Sequence, residues 1–288
     1  MAATKAEARS WPKPPYDPVK STTVITFHLM AILGVILWYY KKIDVSWWTI
    51  VFAVGYLKLT SLGITAGYHR LFAHPTYKAT RFLMAFLLIL GAATFQGPVL
   101  SWAALHRMHH KYEDTEKDPY CILRGFLFAH IGWVMRKTFP EYALVAKLKT
   151  DPLVRLQERV DIPLEIFMCF VVPTLIGWTW GEPWGALFVA GFIRLCLQWH
   201  MTFSVNSVAH CWGEREWSSK ITARTTNWIV GLLTGGEGRS HSRHHRYPWD
   251  YRVSDRLTDP DIPALFIWIC SKIGLASGLR RAKIRPST

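Results

Sequence analysis

The chain has no C-x-x-C pair, and its five cysteines are too scattered to form a disulfide framework. That excludes a zinc finger built on cysteine and reads as intracellular thiols. The first twenty residues hold four basic residues and four prolines but no apolar h-region, so no cleavable signal peptide is expected. No basic run with interleaved aromatics lies outside the apolar segments, which argues against nucleic acid as a partner despite a formal charge of +14. The basic excess fits an anionic membrane surface or a phosphate-bearing ligand better. Glu-x-x-His pairs, the mark of ferritin-type di-iron bundles, are also missing. No internal repeat or low-complexity tract appears, and the Pro-rich N-terminus is the one linker-like stretch.

What the chain has in abundance is apolar surface. Half of its residues are hydrophobic, and 15 of its 288 residues are tryptophan, which is rich for a soluble enzyme. Four segments suffice to cross a bilayer, which needs roughly 20 residues for a ~30 Å core. They run at about 22–40, 46–66, 163–180 and 184–206. Lys41-Lys42-Ile43-Asp44 joins the first pair and Gly181-Glu182-Pro183 the second, and loops this short force antiparallel hairpins. Trp47, Trp48, Trp178, Trp180 and Trp184 cluster at those connections, as an interfacial aromatic belt would. The expected fold is therefore all-α and integral to the membrane, with four transmembrane helices in two hairpins. Residues 1–21 form an N-terminal tail and 22–288 a single domain. Its 67–162 and 207–288 regions make a helical cap, placed on the cytosolic side by the positive-inside rule. Residues 81–100 look apolar enough for a fifth span, but a crossing there would separate the histidine groups described next. An interfacial or partly buried helix is expected instead.

Nine of the 12 histidines fall in four tight groups. His69 and His74 bracket HRLFAH. His106, His109 and His110 form HRMHH, and His241, His244 and His245 form HSRHH. His210 closes Asn206-Ser-Val-Ala-His210. All lie at or beyond the same ends of the spans. On a helix, positions i, i+3 and i+4 share a face, so each H-x-x-H-H aims three imidazoles at one point, and Asn206 aligns with His210. His69 and His74 are i, i+5, roughly 140° apart on a regular helix, and converge only if the helix ends or bends between them. His28, His130 and His200 stand apart and read as packed or surface residues. Nine imidazoles exceed the four to six ligands of one ion, so two ions are the economical reading. A metal transporter would bury its ligands along the spans, whereas these sit at the exits. An all-nitrogen dimetal site at a membrane surface points to oxygen chemistry on a lipid-borne chain. An unactivated methylene has no acidic proton for a general base to take, so its cleavage needs an oxidising metal centre that excludes water.

The residues around these boxes resemble the membrane-bound fatty-acyl desaturases, specifically the stearoyl-CoA (delta-9) type. The likeness covers about residues 55–255. It includes GITAGYHRLFAHPTYKA (63–79), HRMHHKYEDTEKDPY (106–120), RGFLFAHIGWVMRK (124–137), NSVAH (206–210) and GEG followed by HSRHH-x-YP-x-DYR (236–252). The resemblance implies two irons held by His69, His74, His106, His109, His110, His210, His241, His244 and His245, with Asn206 joining through a water. It implies O2 as co-substrate and insertion of a cis double bond into a saturated acyl chain carried by coenzyme A or another carrier. No His-Pro-Gly-Gly haem motif occurs, so electrons are expected from a separate cytochrome b5 or ferredoxin-type donor. The membrane is the endoplasmic reticulum in a eukaryote or the inner membrane in a bacterium. A lipid hydroxylase or alkane oxygenase is the rival within the same chemistry.

The resemblance also implies that Arg136 and Lys137 meet the phosphates of coenzyme A, and that Leu57 and Ser61 cap the far end of the acyl tunnel. Asp118 and Glu237, beside the boxes, are candidate acceptors for imidazole N–H groups. Two departures stand out. Ala104-Leu105 replaces the Arg-Asp pair that precedes the second box in animal enzymes. The third box has one extra residue, with Ser242 for asparagine and Arg243 for an aromatic.

Overall fold

The first two long helices begin where the sequence supplies a side-chain acceptor for a bare N–H group of the first turn. The computed structural model describes residues 5–217, 220–256 and 258–283. The first long helix is Pro18–Tyr39, where Asp17 accepts from Lys20 N–H at 3.2 Å and Pro18 fills a position that needs no donor. The second is Trp47–Ala73, capped by Ser46 through Trp48 N–H at 3.2 Å. The third and fourth are Asp161–Trp178 and Pro183–Cys211, with Gly181 turning the chain between them at φ +83°. These four are long and apolar enough to cross a membrane. The first starts at Pro18 rather than near 22. The second and fourth overrun residues 66 and 206, and these extensions carry His69, Arg70 and His210.

The two short connections touch. Glu182 accepts from Ser46 N–H at 2.9 Å and from the Thr49 hydroxyl at 2.6 Å, and Trp180 Nε1 donates to Thr49 at 2.9 Å. Residues 81–100 divide, as the histidine argument requires. The Arg81–Ala92 helix has 12 residues, about 18 Å at 1.5 Å rise, and is too short to cross. The chain then turns through Phe95 (φ +50°) and Gly97 (φ +79°), and Val99–Tyr112 begins a separate helix that carries the second histidine box. The short helix packs against the second long one so closely that a Cβ on Gly63 would lie 2.3 Å from Gly91 N. A Cβ on Gly91 would in turn lie 2.1 Å from the Tyr68 ring, so both positions need glycine.

Residues 5–17 are tied down. Ala8, on the Lys5–Ser10 helix, packs with Cys121 and Leu123, and Asp17 N–H donates to Met135 O at 2.9 Å. The only β structure among the described residues' paired strands is Lys78–Ala79 against Ala276–Ser277.

Candidate metal centre

The segment Gly63–Ala73 is wound as a π-helix, with wider i→i+5 turns, and ends at His74, whose N–H donates to His69 O at 3.0 Å. That widening is how two residues five apart reach one site. The Val99–Tyr112 helix brings His106, His109 and His110, the fourth long helix brings His210, and a short helix His241–Arg246 brings the last three.

Eight rings fall into two groups, each with its ligand atoms within 4.8 Å of one another. One is His69, His74, His106 and His244; the other is His109, His210, His241 and His245. The ninth, His110, lies between them. Its Nε2 is 3.1 Å from His106 Nε2 and 3.0 Å from His244 Nε2, and its ring stacks on His245 at 4.3 Å. Every close contact between these rings is Nε2 to Nε2, at 2.8 to 3.1 Å.

On four of the rings the other nitrogen faces outward to an acceptor. His69 Nδ1 lies 3.1 Å from Glu237, His109 Nδ1 2.9 Å from Asp118, and His245 Nδ1 2.6 Å from Glu113. His210 Nδ1 meets Thr222 Oγ1 at 3.0 Å, and that hydroxyl is already committed to Asp114 at 2.7 Å. Each of these rings therefore donates through Nδ1 and turns a bare Nε2 lone pair inward. Lone pairs set 3 Å apart repel unless a cation stands among them, so the donor set fits metal ions bound by neutral imidazole.

Burial keeps most of the rings in that neutral form. Burial pushes His74, His106, His110, His244 and His245 below the ordinary imidazole range, and His241 down to about 3. Burial also works against charge on His109, but Asp118 outweighs it and raises that pKa. Burial resists ionisation of Glu237 as well, yet the Arg70 guanidinium at 2.7 Å and His69 hold its carboxyl down at about 2. Glu113 is pushed up to about 8 by burial.

Two cavities meet at this cluster. The larger, of about 340 Å³, runs from Lys20 and Thr138 past Trp133 and Phe203 to His106 and Asn206. That volume is in the range of small-molecule sites. The smaller, of about 60 Å³, shares Trp102, His106, Thr202 and Asn206 with it and continues to Ser61 and Gln198. Ser61 thus lines the inner end, while Leu57 lines neither cavity and contributes its carbonyl to Ser61 Oγ at 2.7 Å. The Arg136 guanidinium donates to Pro14 O at 2.6 Å and lies over the Tyr16 ring at 4.0 Å; Lys137 is exposed beside it.

His28, His200 and His130 stay outside both groups and bond to one another. His28 Nε2 and His200 Nε2 are 3.1 Å apart, and His130 Nε2 lies 2.9 Å from His200 Nδ1. Asp118 and Glu237 take the acceptor places their positions suggested. Glu113, Asp114 and Thr222 were missed. Glu113 lies three residues beyond His110, within the helical reach that could have flagged it, whereas Thr222 becomes adjacent only through the fold.

The altered third box is accommodated by charge. Arg243 and Asp250 are fully buried and paired at 2.7 Å, and Ser242 Oγ meets Thr225 Oγ1 at 2.8 Å. Breaking a buried pair strands an uncompensated charge, at about 3–5 kcal/mol. Asp250→Asn is therefore expected to lower the unfolding temperature of the purified protein by much more than Arg281→Gln, whose partly exposed side chain touches the same carboxylate at 3.6 Å. Equal shifts would show that the pair carries little.

A family model for fatty acid desaturases matches residues 45–256. A probable acyl-CoA desaturase of Schizosaccharomyces pombe is 43% identical over 80% of this chain. The chain belongs to the fatty acid desaturase family. The alignment spans 49% of that fission-yeast relative, so the chain covers about half of its length. The pig stearoyl-CoA desaturase is 37% identical over 92% of this chain and 75% of its own. An acyl-CoA Delta(11) desaturase of Trichoplusia ni is 35% identical over 90% of this chain and 76% of its own. The matched range contains every histidine of the two groups and His110.

Proposed function

We propose that the chain is an integral-membrane acyl-CoA desaturase with two irons, placing a cis double bond at the delta-9 position of a saturated chain such as stearoyl. The convergence of nine imidazoles beside an acyl-sized cavity carries this reading. One iron would be held by His69, His74, His106 and His244, the other by His109, His210, His241 and His245. His110 lies between them, and Asn206 is close enough to both cavities to act through a water. Bound iron supplies the oxidant, drawing on O2 and two electrons from a cytochrome b5 or ferredoxin-type donor. The net change balances as one saturated chain, O2, two electrons and two protons giving one unsaturated chain and two waters.

The protein's part is positioning and exclusion. Glu237, Asp118, Glu113 and Thr222 hold the imidazoles in the tautomer that presents Nε2 inward, support of a kind commonly worth about 10–100-fold in metal affinity. Trp102, stacked on His106 at 5.1 Å, and Phe203 wall the cavity so that a methylene meets the centre away from bulk water. Arg136 and Lys137, next in sequence to the cavity-lining Thr138, would meet an acyl carrier's phosphates. The 67–162 and 207–288 regions would face the cytosol, in the endoplasmic reticulum of a eukaryote or the inner membrane of a bacterium. Expression in an unsaturated-fatty-acid auxotroph tests the whole. Growth without supplement, with a delta-9 monoene identified by mass spectrometry, is the expected result. A hydroxylated chain would establish the oxygenase alternative, and a delta-11 monoene would correct the position.

A further inference from the structure

Between Gly97 and His106 the larger cavity follows one face of the Val99–Tyr112 helix, touching Ser101, Trp102 and Leu105 on the way. Nine residues at 1.5 Å rise make that run about 14 Å long. His106 stands at one end. Near the other are two carboxyl groups from the start of the third long helix, Asp161 and Glu165, four residues apart and therefore on one face. Glu165 is 1% exposed and accepts from Gly97 N–H at 2.8 Å. Asp161 is 9% exposed, and its Oδ1 is buried in the cavity wall with no hydrogen-bond donor.

Nothing nearby relieves this. The charges acting on the pair are themselves acidic, Glu158 on Asp161 and Asp161 on Glu165. Lys20, which lines the same cavity, gives its ammonium to Thr138 at 3.0 Å. A buried acceptor without a donor is a standing cost unless a ligand supplies one. A saturated hydrocarbon chain has no donor to give. The head of the substrate does, because a pantetheine arm carries an amide N–H just beyond the thioester sulfur.

We propose that Asp161, with Glu165 beside it, is the polar rest for the head of the substrate, accepting a pantetheine amide N–H and so fixing which carbon reaches the histidine cluster. This rests on the desaturase reading above. The ligand class is an acyl thioester of pantetheine, shared by coenzyme A and carrier proteins. A glycerolipid ester has no N–H in that place. Ala104 and Leu105, just before the second box, have apolar side chains that cannot take this role.

The test compares two stearoyl thioesters on the purified holoprotein, the N-acetylcysteamine thioester, which keeps the amide, and the butyl thioester, which lacks it. Wild type is expected to bind the first about fivefold more tightly, as suits one net hydrogen bond to a buried acceptor. Asp161→Leu should bind both equally and, in turnover, spread the double bond over neighbouring positions. Asp161→Asn, isosteric and so able to fold in the same shape, should keep only a small preference. Equal binding of both by wild type, or an undiminished preference in both variants, would overturn the assignment. A binding preference without any unsaturated product from wild type supports the amide contact and tells instead against the desaturase reading.

Discussion

Replacing His109 or His244 with alanine is expected to remove metal and activity while leaving the chain in the membrane. The two residues sit in different groups, so each variant reports on a different ion. His244 Nε2 is 3.0 Å from both His69 and His110 Nε2, at the centre of its group. His109 is oriented by Asp118 at 2.9 Å and packs edge-on against His210 and His245. Removing an outer partner of a ligand commonly costs about 10–100-fold, so removing the ligand itself should cost more than that in activity. The long helices do not depend on these side chains for their length or apolarity, so membrane insertion should be kept. Metal analysis of wild type should give two irons per chain, and neither variant should retain both. One zinc per chain in wild type, or full activity in either variant, would refute the di-iron assignment.

How much of this was legible in the sequence depends on how far each feature is local. H-x-x-H-H was readable because helical periodicity alone aligns its three rings, and the structure keeps both copies on helices. The H-x-x-x-x-H pair was readable only as a demand that the helix deform. The π-winding that meets it follows from packing, with Gly63 against Gly91 and Tyr68 fully buried over that contact. The break in 81–100 was inferable from the histidines and not from hydropathy, because most of its apolar residues (Leu83, Leu87 and Leu88 among them) serve a protein core, while Phe82 and Ile89 are exposed. The acceptors behind the rings divide in the same way. Asp118 and Glu237 flank boxes in sequence, while Thr222 reaches His210 across the fold. Arg243 in place of an aromatic looked like a loss at the third box; its partner Asp250 lies only seven residues on, yet neither residue's burial can be read from that spacing. Leu57 and Ser61 share a helix face, but only Ser61 borders a cavity, since the walls are completed by Gln198 and Met201 of the fourth long helix.

That last distinction makes chain length a sharp test. Ser61 is 8% exposed, its Oγ lies 2.7 Å from Gln198 Oε1, and both residues border the small cavity beyond His106. An acyl chain held at its head near Asp161 would pass the histidine cluster and end against them. Ser61→Trp would fill that end, so the expected result is a shift toward shorter substrates with both metals still bound. Each buried methylene is worth about 0.8 kcal/mol, so denying space to two of them should move the palmitoyl-to-stearoyl ratio of kcat/KM by roughly tenfold. Overpacking can cost about 1–3 kcal/mol in stability. Ser61→Leu is the milder companion, and it should move the ratio in the same direction by less. Leu57→Tyr should move it least, because Leu57 meets Ser61 through its backbone carbonyl and its side chain borders neither cavity. The measurement is competitive turnover of mixed palmitoyl- and stearoyl-CoA with product analysis by mass spectrometry. An unchanged profile in active Ser61→Trp enzyme would mean that the chain ends elsewhere. A larger shift from Leu57→Tyr than from Ser61→Trp would move the closed end one helical turn deeper along the second long helix.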